Sequence, residues 1–294
     1  MKKHISFLFF FIINITVAQN IYFDSITKVS KRTYTYKKYE TEKLKLDFYK
    51  PKKIKRNFPL IIFVHGGGFA GGKRNDKHII DFANYLTKRG YAVASVSYRL
   101  TMKGIGFGCK TNAKDKINAF DSASEDISYA IKYILRNKRR FKINPNKIIL
   151  MGSSAGAEAI LNLAYVYDNK VLPQSFKFSG IVSMAGALTT TEKITRETGI
   201  PTQLFHGTKD KLVPYNIAPH HYCNKNDVGY LTLYGSKTIA EKLKKLGKSF
   251  YLYSVKNGDH SWNGRPLNEC KKEILDFLYN DVIKNKNRQT LKEI

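Results

Sequence analysis

The chain has 294 residues, with 51 lysines and arginines against 23 aspartates and glutamates, so its formal net charge is +28. The basic residues are spread along the chain and no known nucleic-acid-binding module accompanies them, which excludes a nucleic-acid partner. We interpret the charge as a property of the composition, with attraction to acidic surfaces or polyanions as the alternative.

The amino terminus has the pattern of a secretory signal peptide. Two lysines follow the initiator methionine, an apolar stretch occupies residues 5–13, and small residues precede Gln19. Such a segment is removed on export, and we predict cleavage after Ala18. The apolar stretch is too short to span a bilayer, so we expect no stable membrane anchor. Residues 1–18 are thus a predicted signal peptide, and residues 19–294 a single domain of a periplasmic or secreted protein.

The order of apolar patterns along the chain predicts an α/β fold. Alternating apolar and polar residues at 33–40 and 44–49 predict an antiparallel hairpin at the edge of a sheet. From residue 60 onward we predict strands at 60–65, 92–98, 147–152, 179–184, 202–206 and 250–255, and helices at 77–89, 121–138, 155–165, 236–247 and 268–284. This alternation is typical of a mostly parallel sheet with helices on both faces. The polar stretch 284–294 is expected to fray.

A serine flanked by glycines follows the predicted strand at 147–152. Residues 152–156 read G-S-S-A-G, directly after an apolar run and before a helical pattern. A sharp turn between strand and helix exposes a serine hydroxyl, and small flanking residues avoid crowding of the backbone. The start of the helix leaves unpaired N–H groups beside the hydroxyl, where negative charge develops in acyl transfer. We therefore predict that Ser154 is a catalytic nucleophile and that Ser153 is structural.

A run of three glycines follows the predicted strand at 60–65. Residues 65–69 read H-G-G-G-F, and consecutive glycines let the backbone pass close to a bound acyl group and direct N–H donors at it. We expect the side chain of His65 to hold this loop through hydrogen bonds. A merely flexible loop is the alternative, but flexibility does not explain why the run lies at a strand end with an aromatic residue after it.

The two motifs together resemble those of the α/β-hydrolase superfamily, and the H-G-G-G run resembles carboxylesterases of the hormone-sensitive-lipase type. The resemblance covers residues 44–283 and implies the α/β-hydrolase fold. It also implies that the N–H groups of Gly67, Gly68 and Ala155 bind an oxyanion. No insertion is long enough for a large cap domain, which departs from some members of the family and indicates an open site.

The other two triad members are expected after Ser154, because the superfamily's chain order is nucleophile, acid and then histidine. The segment 206–214, H-G-T-K-D-K-L-V-P, closely resembles the superfamily's acid-bearing loop and makes Asp210 the acid. Asp227 is a poorer candidate because no strand leads into it. His260 follows the last predicted strand and precedes the last helix, where the base is expected. The other histidines fit this position less well.

These residues predict a serine esterase that works through an acyl-serine intermediate. Ser154 attacks the ester carbonyl while His260 takes its proton and Asp210 holds the imidazole. We expect neither a metal nor an organic cofactor, because the cysteines and histidines show no clustered ligand spacing. Expected substrates are small-molecule esters with short acyl chains or acyl esters on a polysaccharide, and lipase action stays open. The alternatives are a serine peptidase of the prolyl-oligopeptidase superfamily and a non-catalytic binding protein on the same scaffold.

Two loops, at 100–109 and 213–233, are expected to shape the substrate pocket. Phe69, Tyr215 and Trp262 are candidate substrate contacts. For Trp262, the only tryptophan, ordinary packing of a loop is an equally good interpretation.

The three cysteines of an exported protein favour one disulfide and one free thiol. Cys109 and Cys223 both lie in the predicted pocket loops, and we predict a disulfide between them. A Cys223–Cys270 bridge is the alternative. In the favoured pairing, Cys270 is a buried thiol that fills apolar space in the last helix.

Overall fold

A computed structural model describes Tyr22, residues 24–25, residues 27–52 and residues 57–294. The predicted signal peptide, residues 1–18, lies outside these ranges. Within them, no helix combines the length and the apolar character that crossing a membrane requires.

Most of the strands in the described ranges belong to one central sheet. The strands are β1 (Val29–Lys38), β2 (Lys43–Pro51), β3 (Phe58–Val64), β4 (Ala92–Val96), β5 (Ile143–Ser153), β6 (Gly180–Met184), β7 (Ala187–Leu188), β8 (Thr202–Gly207), β9 (Ile217–Pro219), β10 (Thr232–Gly235), β11 (Phe250–Val255) and β12 (Gln289–Glu293). The central sheet has the order β1-β2-β4-β3-β5-β6-β8-β11-β12, and β7, β10 and β9 form a second, small sheet.

The central sheet is parallel from β4 to β12 and antiparallel at its amino-terminal edge. Strand β3 lies between β4 and β5, with Val64 aligned on Val96 and on Gly152. Strands β1 and β2 pair antiparallel, and β2 joins the sheet antiparallel to β4. The predicted mostly parallel sheet and its amino-terminal hairpin are therefore confirmed. Strand β1 begins earlier than predicted, because Val29 still pairs with Pro51 at the end of β2.

The α-helices of the described ranges are α1 (Lys77–Lys88), α2 (Ala113–Arg136), α3 (Lys138–Phe141), α4 (Ala155–Tyr165), α5 (Ser236–Lys245), α6 (Pro266–Glu269) and α7 (Lys271–Phe277). Helix α2 begins before the predicted residue 121, because the Asn112 side chain accepts a hydrogen bond from the Lys114 N–H and caps the helix there. The helix predicted at 268–284 is interrupted, because Cys270 leaves the helical conformation between α6 and α7. A π-helical turn, Leu278–Ile283, follows α7.

Helices cover both faces of the central sheet, as the alternation of patterns predicted. Buried side chains of α2, α4 and α5 pack against one face, and those of α1, α6 and α7 pack against the other. Removal of these apolar surfaces from water is the main favourable contribution to folding. The segments with the candidate site residues follow the carboxyl ends of β3, β5, β8 and β11. Parallel α/β sheets place their sites at this edge.

The carboxyl terminus contradicts the expectation that residues 284–294 fray. Strand β12 pairs in parallel with β11, and Leu291 is aligned on Leu252. Just before β12, Arg288 donates hydrogen bonds to the carboxylate of Asp276, at 2.7 Å, and to that of Asp281. The polar composition was misleading because an edge strand keeps much of its surface in water and tolerates charged side chains.

Candidate active site

The turn between β5 and α4 presents Ser154 in an unusual backbone conformation. Ser154 has φ 50° and ψ −124°, and residues with a side chain rarely adopt a positive φ. The flanking glycines make the turn possible. A Cβ on Gly152 would lie 2.4 Å from the Gly156 carbonyl oxygen, and a Cβ on Gly156 would lie 2.3 Å from the Val64 carbonyl oxygen. The structure therefore contains the sharp strand-to-helix turn that the sequence predicted.

Asp210, His260 and Ser154 form a continuous chain of hydrogen bonds. Ser154 Oγ lies 2.8 Å from His260 Nε2, and His260 Nδ1 lies 2.7 Å from Asp210 Oδ2. The three residues follow β5, β8 and β11, so separate parallel strands bring them to one edge of the sheet. When Nδ1–H donates to Asp210, Nε2 is free to accept the Ser154 proton, which is the arrangement that general-base catalysis requires.

Asp210 is fully buried, yet its surroundings favour the charged carboxylate. Burial alone would raise the pKa of Asp210, but hydrogen bonds with His206 and His260 hold that pKa well below its usual range. Asp210 Oδ1 also accepts hydrogen bonds from the backbone N–H groups of Leu212 at 2.8 Å and Val213 at 3.0 Å. These donors fix the orientation of the carboxylate toward the His260 imidazole.

His206 supports the loop that contains Asp210. Its Nδ1 lies 2.8 Å from Ser236 Oγ, at the start of α5. Its Nε2 lies 3.1 Å from the Val213 carbonyl oxygen and 3.2 Å from Asp210 Oδ2. The imidazole therefore connects the end of β8 to both the acid loop and α5.

Ser153 connects the serine turn to the turn that contains His260. Its Oγ donates to the Asn263 backbone carbonyl at 2.7 Å, and the Asn263 side-chain amide donates to the His260 carbonyl oxygen. Ser153 thus has the structural role that the sequence indicated. The sequence alone does not identify Asn263, because a polar residue in this turn has no distinguishing spacing.

Gly67, Gly68 and Ala155 lie together along the cavity that contains Ser154 Oγ. Ala155 is the first residue of α4, so its N–H has no partner within the helix. In the described ranges no hydrogen bond uses the N–H of Gly67 or Gly68. Gly67 has φ 117°, and a Cβ there would lie 2.4 Å from the Gly71 carbonyl oxygen. Three N–H donors are therefore available beside the serine, which suits stabilisation of an oxyanion.

His65 and Tyr98 hold the base of the glycine loop. His65 Nδ1 lies 2.8 Å from the Gly66 carbonyl oxygen, and the two rings stack with centroids 4.6 Å apart. The Tyr98 hydroxyl donates to the His65 carbonyl oxygen at 2.9 Å. Burial lowers the pKa of His65, which favours the neutral imidazole. These contacts are those expected of a residue that fixes the loop.

The cavity beside Ser154 has a volume of about 360 Å³. Besides the triad serine and histidine and the three residues with free N–H groups, it is lined by Phe107, Glu158, Leu212, Val213, His220, His221 and Asn263. Phe107 comes from the predicted pocket loop at 100–109, and four of the others come from the loop at 213–233 or the residue before it. Neither Phe107 nor Glu158 was predicted from the sequence to be a site residue. In the sequence, only the position of Glu158 one helical turn after Ser154 indicates that it belongs to the site.

Phe69, predicted as a substrate contact, lies outside this lining and the prediction is wrong. The ring is fully buried and packs against Tyr98 and Phe120 in T-shaped contacts. Complete burial of an aromatic ring gains more free energy than a position at the edge of a half-polar cavity.

Tyr215 and Trp262 also lie outside the lining, so both predicted contacts need correction. Trp262 is 3% exposed, its ring centroid lies 5.7 Å from that of Tyr253, and the Arg265 guanidinium lies 4.4 Å from the ring centroid. The Tyr215 hydroxyl lies 2.8 Å from Ser254 Oγ, which directs it toward β11. Ordinary packing of loops therefore explains both aromatic rings.

A disulfide joins Cys109 to Cys223, which are 114 positions apart in sequence and have a Cα–Cα distance of 5.3 Å. It connects the two loops that contain Phe107 and His220. Cys270 is a buried free thiol, as in the favoured pairing. Asp227 lies close to both bridged sulfur atoms, but sulfur atoms in a disulfide are not thiolate ligands for a metal.

Comparisons with known proteins agree with this architecture. The sequence model of the BD-FAE family matches residues 46–187. Gut esterase 1 of Caenorhabditis elegans is 26% identical over 164 residues, which cover 54% of this chain and 28% of that protein. Fumonisin B1 esterase of Sphingopyxis macrogoltabida is 31% identical over 120 residues, which cover 40% of this chain and 22% of that protein. The matches thus span less than a third of these curated relatives.

Solved structures extend the similarity to most of the chain. The apo form of Thermogutta terrifontis esterase 2 is 20% identical, has a TM-score of 0.62, and the match covers 87% of this chain and 94% of that one. A second structure of that esterase, phosphorylated by paraoxon, matches with 21% identity and the same TM-score of 0.62. The sheet order, the serine turn and the matches to solved structures together show that the chain has the α/β-hydrolase fold.

Proposed function

We propose that the protein is an exported serine hydrolase that cleaves carboxylic esters through an acyl-serine intermediate. The proposal rests on one observation: the Asp210–His260–Ser154 chain of hydrogen bonds ends in a cavity with three free N–H donors. The similarity to proteins named as esterases supports the choice of ester substrates. The signal-peptide pattern and the disulfide support export, because disulfides persist in oxidising compartments.

The geometry leads to a two-step acyl transfer. Ser154 Oγ attacks the ester carbonyl while His260 Nε2 takes the hydroxyl proton, and the free N–H groups stabilise the tetrahedral oxyanion. His260 then gives that proton to the leaving alcohol as the C–O bond breaks. Water repeats the sequence on the acyl-serine, so that the carboxylic acid is released and the Ser154 hydroxyl is restored. Asp210 stabilises the imidazolium in both steps.

The size and surroundings of the cavity favour short acyl groups. A volume of about 360 Å³ lies near the lower end of the range for ligand pockets. The disulfide restrains the loops on one side of the cavity, which limits widening for a long chain. The cavity is partly open to solvent, which leaves room for a bulky alcohol, and acyl groups on a polysaccharide are therefore compatible with the site.

Hydrolysis of p-nitrophenyl acetate, butyrate and decanoate by the wild type and by Ser154→Ala tests the proposal. We expect turnover of the two short esters above that of decanoate, and a fall of at least about 10⁴-fold in Ser154→Ala. Ser175→Ala is the matched control, because Ser175 is an exposed serine outside the lining of the Ser154 cavity. Equal activity of wild type and Ser154→Ala, or activity on peptides alone, contradicts the proposal.

A further inference from the structure

Glu158 is a buried carboxyl group that the acyl-transfer steps do not use. It lies one turn after Ser154 in α4, is 2% exposed, and lines the cavity. Burial and, less strongly, the nearby negative charge of Asp210 together raise the pKa of Glu158 to about 8, against the opposing effect of Lys116. Near neutral pH the group is therefore mainly a neutral carboxylic acid, which both donates and accepts hydrogen bonds.

Glu158 and His220 each have one buried polar atom without a hydrogen-bond partner among the described residues. In the described part of the chain, neither Glu158 Oε1 nor His220 Nδ1 makes a hydrogen bond. The nearest approach between the two side chains is 3.5 Å, from Glu158 Oε1 to His220 Nε2, which exceeds an ordinary hydrogen bond. Lys116 does not fill the gap, because its ammonium group donates to the Gly229 carbonyl oxygen at 2.7 Å. Leaving buried polar atoms unpaired is costly.

The charges around Glu158 and His220 favour a neutral ligand group. His220 is 1% exposed, and its burial, with His221, Lys116 and His260 nearby, holds its pKa well below the usual value, so its imidazole is neutral. The Asp210 carboxylate would repel an anionic substituent, and the Lys116 ammonium group would repel a cationic one. A hydroxyl group donates one hydrogen bond and accepts others, which matches a neutral carboxylic acid beside a neutral imidazole.

We propose that Glu158 and His220 form a subsite for a hydroxyl group on the acyl chain of the ester, so that the enzyme prefers short hydroxyacyl esters. This inference rests on the proposed esterase function. Residues four apart on a helix have Cβ atoms roughly 5–6 Å apart, which places Glu158 only a few bonds from a carbonyl held at Ser154. The acyl part is assigned to this buried end of the cavity because the alcohol must leave toward solvent past His260.

The ratio of kcat/KM for ethyl 3-hydroxybutyrate to kcat/KM for ethyl butyrate tests the subsite. We expect Glu158→Leu to lower this ratio about tenfold from the wild-type ratio, because an apolar side chain cannot bond the hydroxyl. Glu158→Gln should keep most of the preference, because an amide also donates and accepts. Glu241→Gln, at an exposed glutamate of α5, is the matched control and should keep the wild-type ratio. Comparing ratios between proteins cancels any difference in the intrinsic reactivity of the esters.

Competitive inhibition of the wild type gives a measurement that does not depend on a folded variant. We expect 3-hydroxybutyrate to inhibit about tenfold more strongly than butyrate. Equal inhibition constants, or a kcat/KM ratio that Glu158→Leu leaves unchanged, overturn the subsite while hydrolysis of ethyl butyrate continues. If the wild type hydrolyses neither these esters nor the p-nitrophenyl esters, the proposed esterase function itself fails.

Discussion

Asp210 illustrates how single residues of the site depend on their immediate surroundings. Its carboxylate accepts two backbone N–H groups and faces His260 Nδ1 at 2.7 Å. We expect Asp210→Asn to lower kcat for p-nitrophenyl butyrate by about 10⁴-fold, because an amide favours the wrong imidazole tautomer and leaves the imidazolium without a counter-charge. Asp227→Asn is the control, since Asp227 lies outside the triad and its carboxylate accepts a hydrogen bond from the Asn224 N–H at 2.6 Å.

Steady-state kinetics with circular dichroism spectra of both variants separate this effect from unfolding. A folded Asp210→Asn protein with nearly wild-type kcat contradicts the assignment of the acid. A comparable fall in Asp227→Asn points to a general effect of the loops.

The sequence predicted the grouping of the triad residues but not the aromatic contacts. Ser154, Asp210 and His260 were predictable because each follows an apolar strand pattern, and parallel strands end at one edge. The directions of Phe69 and Trp262 were not predictable, because loop conformation and competing burial decide which way an aromatic side chain points. Glu158 was missed for a related reason: a glutamate on a helix is normally exposed, and only the packed structure shows that this one is buried.

At the scale of secondary-structure elements, the loop conformations around the cavity depend on the Cys109–Cys223 disulfide. The bridge joins residues 114 positions apart in sequence and restrains the loops that contain Phe107 and His220. We expect the Cys109→Ala/Cys223→Ala protein to lose about 2–5 kcal/mol of unfolding free energy. We also expect a higher KM for short esters, because the cavity wall is then less ordered.

Urea unfolding with and without dithiothreitol measures this contribution. Reductant should lower the unfolding midpoint of the wild type and leave that of the double variant unchanged. An equal effect of reductant on both proteins, or no effect on either, contradicts a stabilising role of the bridge.

The central strands were predictable from sequence and the termini of elements were less so. Strand β3 and residues 148–151 of β5 are continuous apolar runs, because helices cover both faces of a parallel sheet. Strand β12 was not predictable from its own polar composition. Its pairing depends on the free edge that β11 offers and on the ion pairs of Arg288 just before the strand. The break at Cys270 likewise depends on how α6 and α7 pack, which a helical period does not reveal.

At the scale of the whole molecule, the amino-terminal pattern and the disulfide lead to the same proposal of export. A short apolar stretch after two lysines is recognised and cleaved during secretion, and an oxidising compartment then allows the Cys109–Cys223 bridge to persist. We expect the exported protein to begin at Gln19 and to contain one disulfide. Intact-mass analysis with and without reductant checks both points. A mass that corresponds to a start at Met1 contradicts the predicted cleavage.

The alternation of elements was enough to predict the mostly parallel central sheet with helices on both faces, because right-handed strand–helix–strand units leave few other topologies. The formal charge of +28 gave no information about the fold, since net charge affects solubility and association rather than topology. The substrate could not be predicted at this scale, because it depends on a few side chains in one cavity.

The most direct test of the central claim is covalent labelling with diisopropyl fluorophosphate followed by peptide mass mapping. The phosphorus reagent forms a stable ester with an activated serine. We predict one adduct per chain, located on Ser154, and no adduct on Ser154→Ala under the same conditions. An adduct on Ser153 or elsewhere, or equal labelling of Ser154→Ala, would contradict the account of Ser154 as the nucleophile.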